Sequence, residues 1–148
     1  MTTWSVFTFF CLLAFPISFI SGYPSGAPDR VCGTLTPRHG ESEAQTVQSP
    51  YALSVDETSI GQGDTVEVVI KSINGQDFFR GFLAVVRSAD SNDDVPWGTF
   101  TSEDTNLAQV KDCLGYFNSS ATHVSSDDKT QVNLQWTAPQ REGNYKIL

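Results

Sequence analysis

The sequence predicts an all-β protein that folds as an antiparallel β-sandwich. Short stretches in which apolar and polar residues alternate recur along the chain, and turn-forming Gly, Pro, Asn and Asp cluster between them. The chain contains no internal repeat, and its 148 residues give room for one domain with a stable core. Five or six short strands separated by turns therefore favour two packed sheets.

The first predicted strand follows an extended lead-in and a polar loop. Residues 23–28 are too rich in Pro and Gly for a regular element, and residues 40–50 are polar enough for a surface loop. Tyr51, Leu53 and Val55 then alternate with polar or small residues, which predicts a short strand. This strand ends before the Gly-rich turn of residues 61–64.

Two β-branched and aromatic runs predict the central unit of the fold. The first run, residues 65–72, has one apolar and one mostly polar face, and the second, residues 79–88, is apolar on both faces. Asn74-Gly75 lies between them and is typical of a tight hairpin turn. We therefore expect the two runs to pair as a β-hairpin, with the second run a central strand covered above and below.

The second half of the chain predicts three more strands and one short helix or turn. Residues 99–101 predict a brief strand, and the alternation over residues 132–136 predicts a half-buried strand that stops at Ala138-Pro139. Leu107, Val110 and Leu114 have the spacing of one helix face. The last strand begins at Tyr145 and is cut short by the end of the sequence, so we expect either a very short strand or a longer protein.

An apolar N-terminal run predicts a secretory signal peptide over residues 1–22, followed by one domain over residues 23–148. An uncleaved membrane anchor would need about 20 clean apolar residues and usually a basic flank. Pro16, Ser18 and the lack of Lys and Arg in this run favour cleavage after Gly22. We therefore expect export and no stable membrane insertion after cleavage.

Cleavage removes Cys11 and leaves two cysteines, Cys32 and Cys113, which should pair in an oxidising compartment. In the chain-entropy model a crosslink closing so long a loop stabilises the fold by at most roughly 4 to 5 kcal/mol. A zinc site is the competing use of two cysteines, but it needs four ligands in short paired spacings. The sequence lacks that arrangement, so we expect no metal site.

Charge and motif content exclude several functions. The formal charge of −8 is opposite in sign to what binding of a nucleic acid or an anionic membrane requires. Gly61-Gln62-Gly63 precedes a strand instead of following one, so it is not a phosphate-binding loop. The mature sequence has no nucleophile elbow, free thiol or recognisable carboxylate pair. We therefore expect a non-enzymatic protein without a cofactor.

Three residues are the main candidates for surface and core roles. Asn118 begins the single N-glycosylation sequon of the sequence, Asn118-Ser119-Ser120, and we expect it on a surface loop. Trp97, in a loop beside Pro96 and Gly98, is the candidate for a binding surface, since Trp is enriched at binding hot spots. Trp136 lies on an alternating strand and is expected in the core.

Histidines and acidic residues give weaker candidates. His39 and His123 could form a proton relay or half a metal site, but bonding of each to a nearby backbone group is the expected arrangement. A group of acidic side chains could hold calcium, but it lacks a recognised ligand spacing, so a solvated loop is expected. This group comprises Asp90, Asp93, Asp94, Glu103 and Asp104.

A set of short motifs, in this order and spacing, resembles a reeler (reelin-like) domain over residues 23–148. The motifs are Tyr23-Pro24-Ser25-Gly26-Ala27-Pro28, Cys32, Pro37-Arg38-His39-Gly40, Ser49-Pro50-Tyr51, Phe79-Arg80-Gly81-Phe82, Gly98-Thr99-Phe100, Cys113, Thr122-His123, Lys129 and Trp136-Thr137-Ala138-Pro139. Among such domains the chain most resembles small secreted insect defence proteins that consist of a single one. At the C-terminus the strand begun by Gly143-Asn144-Tyr145 normally continues further in the family.

The resemblance implies an immunoglobulin-like β-sandwich, an extracellular location and a role in innate immunity that is often described as antimicrobial. Membrane lysis generally needs a cationic amphipathic surface, which this acidic chain lacks. We therefore expect binding of a microbial-surface or host extracellular ligand. The alternatives are the N-terminal module of a larger membrane protein of the ferric-chelate-reductase type, which carries haem in its other domains, and an adhesive module of the extracellular matrix.

Overall fold

Two four-stranded antiparallel sheets make up the computed structural model, which describes residues 23–37 and 43–148. The strands are β1 (Tyr51–Val55), β2 (Thr65–Ser72), β3 (Leu83–Ser88), β4 (Thr99–Thr101), β5 (Ala108–Cys113), β6 (Tyr116–His123), β7 (Gln131–Thr137) and β8 (Tyr145–Ile147). The first sheet has the order β1-β2-β7-β4 and the second β5-β6-β3-β8. The predicted all-β sandwich is confirmed, with eight strands in the described residues instead of five or six.

The core lies between the sheets and is built from alternate residues of paired strands. In the first sheet Val68 is opposite Leu134 and Val66 is opposite Trp136, and all four side chains are buried. Phe100 of β4 is opposite Trp136 on its other side and is fully buried. Burying one such side chain stabilises a fold by about 1.5 to 3 kcal/mol. The predicted alternation of these strands is therefore confirmed.

Strand β3 is buried on both faces, as its composition predicts. Ala84 and Val86 pack in the core between the sheets, and Leu83 and Val85 pack on the opposite face. Phe79 departs from the prediction, because it lies ahead of β3 in an isolated bridge with Lys129 and packs into the main core. A strand of this kind needs a cover on the outside of the sandwich as well as a partner sheet inside it.

The predicted hairpin at Asn74-Gly75 is wrong. Strand β2 pairs with β1 and β7, while β3 pairs with β6 and β8 in the other sheet. The Asn74 side chain explains the difference, since its Oδ1 accepts hydrogen bonds from the backbone N–H groups of Gln76 (2.9 Å) and Asp77 (3.0 Å). These bonds stabilise a wider loop that carries the chain across to the second sheet.

The helix predicted at residues 107–114 is wrong, and the alternative, a turn near Cys113, is seen at residues 114–115, because β5 and β6 form a hairpin there. Its two-residue turn consists of Leu114 (φ 54°) and Gly115 (φ 84°). Positive φ at both central positions matches the right-handed twist of the flanking strands. Val110 packs against the core and Leu107 precedes the strand, so their helix-like spacing reflects a strand entered from a loop.

Residues 23–37, which we call the strap, run across the outer face of the second sheet. The backbone N–H of Ala27 donates to Oγ1 of Thr122 (3.0 Å), and Nε2 of Gln109 donates to the carbonyl of Ser25 (2.7 Å). The strap contains a short 3-10 turn, Asp29–Val31. Among the described residues, no helix has the length and apolar character needed to cross a membrane. The predicted signal peptide lies outside the described residues and stays a prediction.

A buried arginine and a disulfide hold the second half of the strap. Nη2 of Arg87 donates to the carbonyls of Cys32 (2.8 Å) and Gly33 (2.7 Å), and its Nη1 pairs with Asp94 (2.8 Å). Cys32 is joined to Cys113, with their Cα atoms 5.6 Å apart. The disulfide packs against Val85, so the strap supplies the outer cover that β3 needs.

Gly98 gives a test of how tightly the first sheet packs at its β4 side. Its φ is +69°, and a Cβ atom there would lie 2.4 Å from the carbonyl oxygen of Thr137. We expect Gly98→Ala to lower the free energy of unfolding by about 3 kcal/mol, measured by urea denaturation.

Gly75→Ala is the matched control for this prediction. Gly75 has nearly the same φ, +71°, but a Cβ atom there meets nothing within 4 Å. We expect a loss of only about 1 kcal/mol, which is the backbone cost of the left-handed conformation. Equal losses in the two variants would contradict the packing seen at Gly98.

Candidate functional site

A cleft of about 690 Å³ opens between β1, at the edge of the first sheet, and β8, at the edge of the second. Its floor consists of core side chains from both sheets, among them Val66, Val86 and Trp136. Its rim is polar and contains Glu57, Arg141 and several loop residues. Both edge strands leave this side of the sandwich open, and the cleft results from that opening. An apolar floor with a few polar groups around it is typical of a ligand-binding site.

Aromatic rings and one arginine form the wall of the cleft near β8. The Tyr145 ring lies 5.7 Å from the Trp136 ring and 6.3 Å from the Trp97 ring, measured between centroids. The guanidinium of Arg141 lies 4.8 Å from the centre of the Trp97 ring, within range of a cation–π interaction. Nε1 of Trp136 donates to the carbonyl of Trp97 (3.0 Å), which fixes the two Trp residues relative to each other.

The loops at the rim are held by their own hydrogen bonds. Oδ2 of Asp64 accepts from the backbone N–H of Gly61 (2.8 Å), and the carbonyl of Asp64 accepts from the N–H of Ala138 (2.8 Å). On the other side, Oδ2 of Asp90 accepts from the N–H of Asn144 (3.2 Å). Because both loops are tied to neighbouring segments, the cleft is largely formed before any ligand arrives.

The two Trp candidates have different positions. Trp136 is buried in the core, as predicted. Trp97 is only partly exposed, and it lies behind Arg141 and Tyr145 without lining the cleft itself. Its Nε1 is buried and has no hydrogen-bond partner among the described residues. Trp97 therefore supports the cleft wall, and its role as a binding surface stays a prediction.

His123 bonds backbone groups, as predicted. Its Nε2 lies 2.8 Å from the carbonyl of Tyr23, and its Nδ1 accepts from the N–H of Phe82 (3.1 Å). These partners require the proton on Nε2, so the ring joins the strap to the second sheet. His39, the other candidate, lies outside the described residues.

Lys129 is almost fully buried, and its ammonium group is bound by carbonyl oxygens. Nζ donates to the carbonyls of Arg80 (3.2 Å), Ser125 (2.8 Å) and Asp127 (2.7 Å). Three acceptors match the three N–H groups of an ammonium group. The residue thus ties two loops together and has a structural role.

The acidic residues proposed for calcium do not form a site in the described part of the chain. No group of three metal-ligating side chains converges within residues 23–37 and 43–148. Asp94 pairs with Arg87, and Asp90 bonds Asn144. At the exposed end of another loop, the hydrogen bond and charge of Asp128 raise the pKa of Arg80.

The strap and the β5–β6 hairpin contain the remaining predicted residues. Cys32 and Cys113 are paired, in agreement with the sequence-based expectation. Asn118 lies within β6 and not on a loop, although its positive φ of 47° interrupts the strand. The surface-loop expectation is therefore wrong in its secondary structure, and use of the sequon stays a prediction.

Comparison with known families decides how this sandwich is classified. The model of the Reeler domain family matches residues 30–148, which is most of the chain. The chain belongs to the Reeler domain family. The match begins inside the strap and includes both cysteines of the disulfide and all eight described strands. The resemblance inferred from the short motifs is thus confirmed.

Two kinds of relative match this Reeler chain. A protein of Antheraea mylitta, provisionally named defense protein 3, is 33% identical over 135 residues, covering 91% of this chain and 78% of the relative. A Bombyx mori protein with a similar provisional defence name is 38% identical over 120 residues, covering 78% and 67%. Ferric-chelate reductase 1 of Homo sapiens is 31% identical over 136 residues, covering 91% of this chain but only 22% of the reductase.

Solved structures agree with the fold. The reeler domain of human F-spondin matches with a TM-score of 0.58 at 18% identity, over 78% of this chain and 83% of that domain. Another crystal structure, of the Reelin-N domain of F-spondin, matches with the same TM-score of 0.58 over 80% of each chain. Identity this low shows a shared β-sandwich and nothing more specific.

Sequence reasoning missed the cleft and the cation at its rim, Arg141. Apart from Val66 and Val86 in the floor, the cleft is formed by segments 53–62 and 136–147, which are distant in the sequence and meet only after both sheets have formed. The one signal was the Gly-rich turn at residues 61–63, which the sequence marks as a turn and which lies at the cleft rim. Arg141 carried no signal, since a single charged residue in a polar loop is usually solvated.

Removing the Arg141 side chain tests the cleft wall. We expect Arg141→Ala to expose the Trp97 ring, shifting Trp fluorescence to longer wavelength and raising acrylamide quenching. The free energy of unfolding should fall by only about 0.5 to 1 kcal/mol, the size of an exposed cation–π interaction. Arg80→Ala removes a comparable exposed arginine, which lies over Phe78. That control should leave Trp emission unchanged, and an unchanged spectrum in Arg141→Ala would contradict the stacking.

Proposed function

We propose that this Reeler protein is a secreted defence factor that acts by binding a microbial-surface or host extracellular ligand. The observation that carries the proposal is the coverage of its relatives. The chain spans 78% and 67% of two insect proteins with provisional defence names, so the Reeler domain is most of what those proteins contain. We therefore assign the function of such a protein to this domain.

The cleft between β1 and β8 is the proposed binding site. Its volume of about 690 Å³ is within the range of small-molecule and cofactor sites, roughly 300 to 1,000 Å³. Aromatic and aliphatic side chains on the floor suit apolar parts of a ligand, while Arg141 and Glu57 at the rim suit polar or charged groups. We infer an amphipathic ligand, such as part of a microbial surface glycolipid or a short extended peptide.

Recognition is favoured over membrane rupture and over catalysis. The charge of −8 and the absence of an amphipathic helix among the described residues argue against insertion into anionic bilayers. The relatives with an enzyme name are ferric-chelate reductases, of which the chain covers about a fifth. Those proteins contain much more chain than this domain, so their activity gives no reason to propose catalysis here.

The alternative is that the chain is the N-terminal Reeler module of a larger membrane protein. The 31% identity with human ferric-chelate reductase 1 over 136 residues favours this reading. A third candidate function, which no comparison tests, is adhesion in the extracellular matrix. Sequencing the transcript beyond Leu148 separates these functions, since transmembrane segments downstream would support the reductase-type module. A glycan and matrix binding array would test adhesion.

A cell-binding assay tests the proposed site. We expect the purified secreted protein to be retained on intact bacteria, on yeast or by a host extracellular protein in a panel of such targets. Arg141→Glu should weaken that binding at least about tenfold, which corresponds to roughly 1.4 kcal/mol. Arg80→Glu reverses a charge outside the cleft and should leave binding within twofold. Retention that is equally strong in both variants would exclude the cleft as the site.

Vesicle leakage tests the proposed mode of action. At low micromolar concentration we expect no release of dye from vesicles of anionic lipids, because the acidic protein is repelled by the negative surface. A cationic lytic peptide serves as the positive control. Dye release by this protein at the same concentration would overturn the binding mechanism in favour of lysis.

A further inference from the structure

The tip of the β5–β6 hairpin carries an unusual cluster of exposed apolar side chains. Leu114 is 48% exposed, Tyr116 46% and Phe117 73%. We call residues 114–117 the tip. Scattered exposed apolar residues are normal, but a contiguous group on one turn marks a surface that something covers. About half or more of each side chain is thus open to solvent.

The tip is held rigidly, so the exposure is not that of a loose loop. Cys113, immediately before it, is bound to Cys32 of the strap. Oγ of Ser119, two residues after it, donates to the carbonyl of Tyr116 (2.7 Å) and accepts from the N–H of Cys113 (3.1 Å). These contacts fix both strands at the base of the turn, and the aromatic rings are therefore presented in a defined place.

Asn118, the residue directly after the tip, begins the sequon. Its backbone N–H donates to Oδ1 of Asp112 (2.9 Å), and its left-handed φ of 47° produces a bulge in β6. The bulge lies between two regular pairs of the ladder, Lys111 with Ser120 and Cys113 with Tyr116. Between these pairs β6 has three residues, whereas β5 has only Asp112. The Asn118 side chain is partly exposed, and its amide forms no hydrogen bond to any described residue.

The third sequon residue shows when modification must occur. Ser120 is buried in the folded chain, and its Oγ donates to the carbonyl of Lys111 (2.9 Å). A transferase that needs this hydroxyl can reach it only before β6 pairs with β5. Modification during export of the unfolded chain meets that condition, and the folded bulge then has to accommodate the product.

We propose that Asn118 carries an N-linked glycan and that its first N-acetylglucosamine packs on Tyr116 and Phe117. This inference rests on the proposed secretion. In the glycosylation reaction, Nδ2 of Asn118 forms a bond to C1 of the oligosaccharide and loses a proton to a base of the transferase. The bond from C1 to the diphosphate of a lipid-linked donor breaks, and the lipid diphosphate leaves. The C–H groups of the sugar then lie against aromatic faces, whose partial negative charge attracts them.

Packing of the sugar gives the tip the cover that the described residues do not supply. A polar glycan over the exposed rings would also prevent this apolar turn from associating with other molecules. The adjacent disulfide and the glycan would thus act on the same hairpin, one fixing its base and the other covering its end.

Glycosylation of Asn118 is tested by mass spectrometry on the full chain, expressed with its own N-terminal segment in insect cells. We expect the protein in the medium with a glycan mass on the peptide containing Asn118, removed by a peptide N-glycosidase and absent from Asn118→Gln. Secreted protein without a glycan would overturn this inference and leave the proposed function intact. Protein that never reaches the medium would overturn both.

Packing of the first sugar on Tyr116 and Phe117 is tested by comparing the thermal stability of three forms of the mature chain. These are the glycosylated form, the form trimmed by an endoglycosidase to one N-acetylglucosamine, and an unglycosylated form from the bacterial periplasm that keeps Asn118. We expect the first two to melt at the same temperature and the third about 3 °C lower, a shift of the size that one such contact produces. A trimmed form as unstable as the unglycosylated one would overturn the packing.

Removing the aromatic rings completes the test. In Tyr116→Ala/Phe117→Ala the difference between the glycosylated and unglycosylated forms should disappear. Phe78→Ala is the matched control, because Phe78 is 48% exposed on a different loop, and there the difference should persist. A glycan that stabilises the double variant as much as the parent would show that it does not pack on these rings.

Discussion

The strap and its disulfide are the constraint on which the rest of this β-sandwich depends. Strand β3 is apolar on both faces, so one partner sheet cannot bury it completely. The strap covers the outer face through Cys32–Cys113 and through the carbonyls that Arg87 binds. Its Ala27 N–H also donates to the buried Thr122 hydroxyl, which in turn donates to the carbonyl of Phe82, and this helps to bury a polar residue of β6. Without this cover, the apolar outer face of β3 and several polar groups would be left exposed on the second sheet.

This arrangement separates two surfaces that the Reeler chain can use. The hairpin tip is fixed at one place by the disulfide and by Ser119. The cleft lies at the other edge of the second sheet, where β8 ends the strand order and β1 leaves the first sheet open. The strap lies on the outer face of the second sheet, so it covers neither the cleft nor the tip. Recognition at the cleft and modification at the tip can therefore coexist on one small domain.

Local patterns predicted most of the strands but missed β5 and β6, and the pairing of strands was predicted poorly. Alternation identified the strands that contain Val68 and Leu134, because burial of alternate residues is visible in the sequence itself. The hairpin at Asn74 was wrong because the choice of sheet depends on partners far along the chain and on the side-chain bonds of Asn74. Strand β6 was missed because its buried positions include Ser120 and Thr122, polar residues that the strap and β5 satisfy. The cleft was unpredictable for the same reason, since its walls meet only in the folded sandwich.

Native-state hydrogen exchange on the oxidised and the selectively reduced protein tests the role of the strap most directly. If the disulfide holds the strap over the second sheet, reduction should greatly accelerate exchange at the Ala27 amide, which donates to Thr122. Amides of β5 and β6 should follow, while those paired between β2 and β7 keep most of their protection. Unchanged exchange at Ala27, or an equal loss of protection in both sheets, would contradict the account.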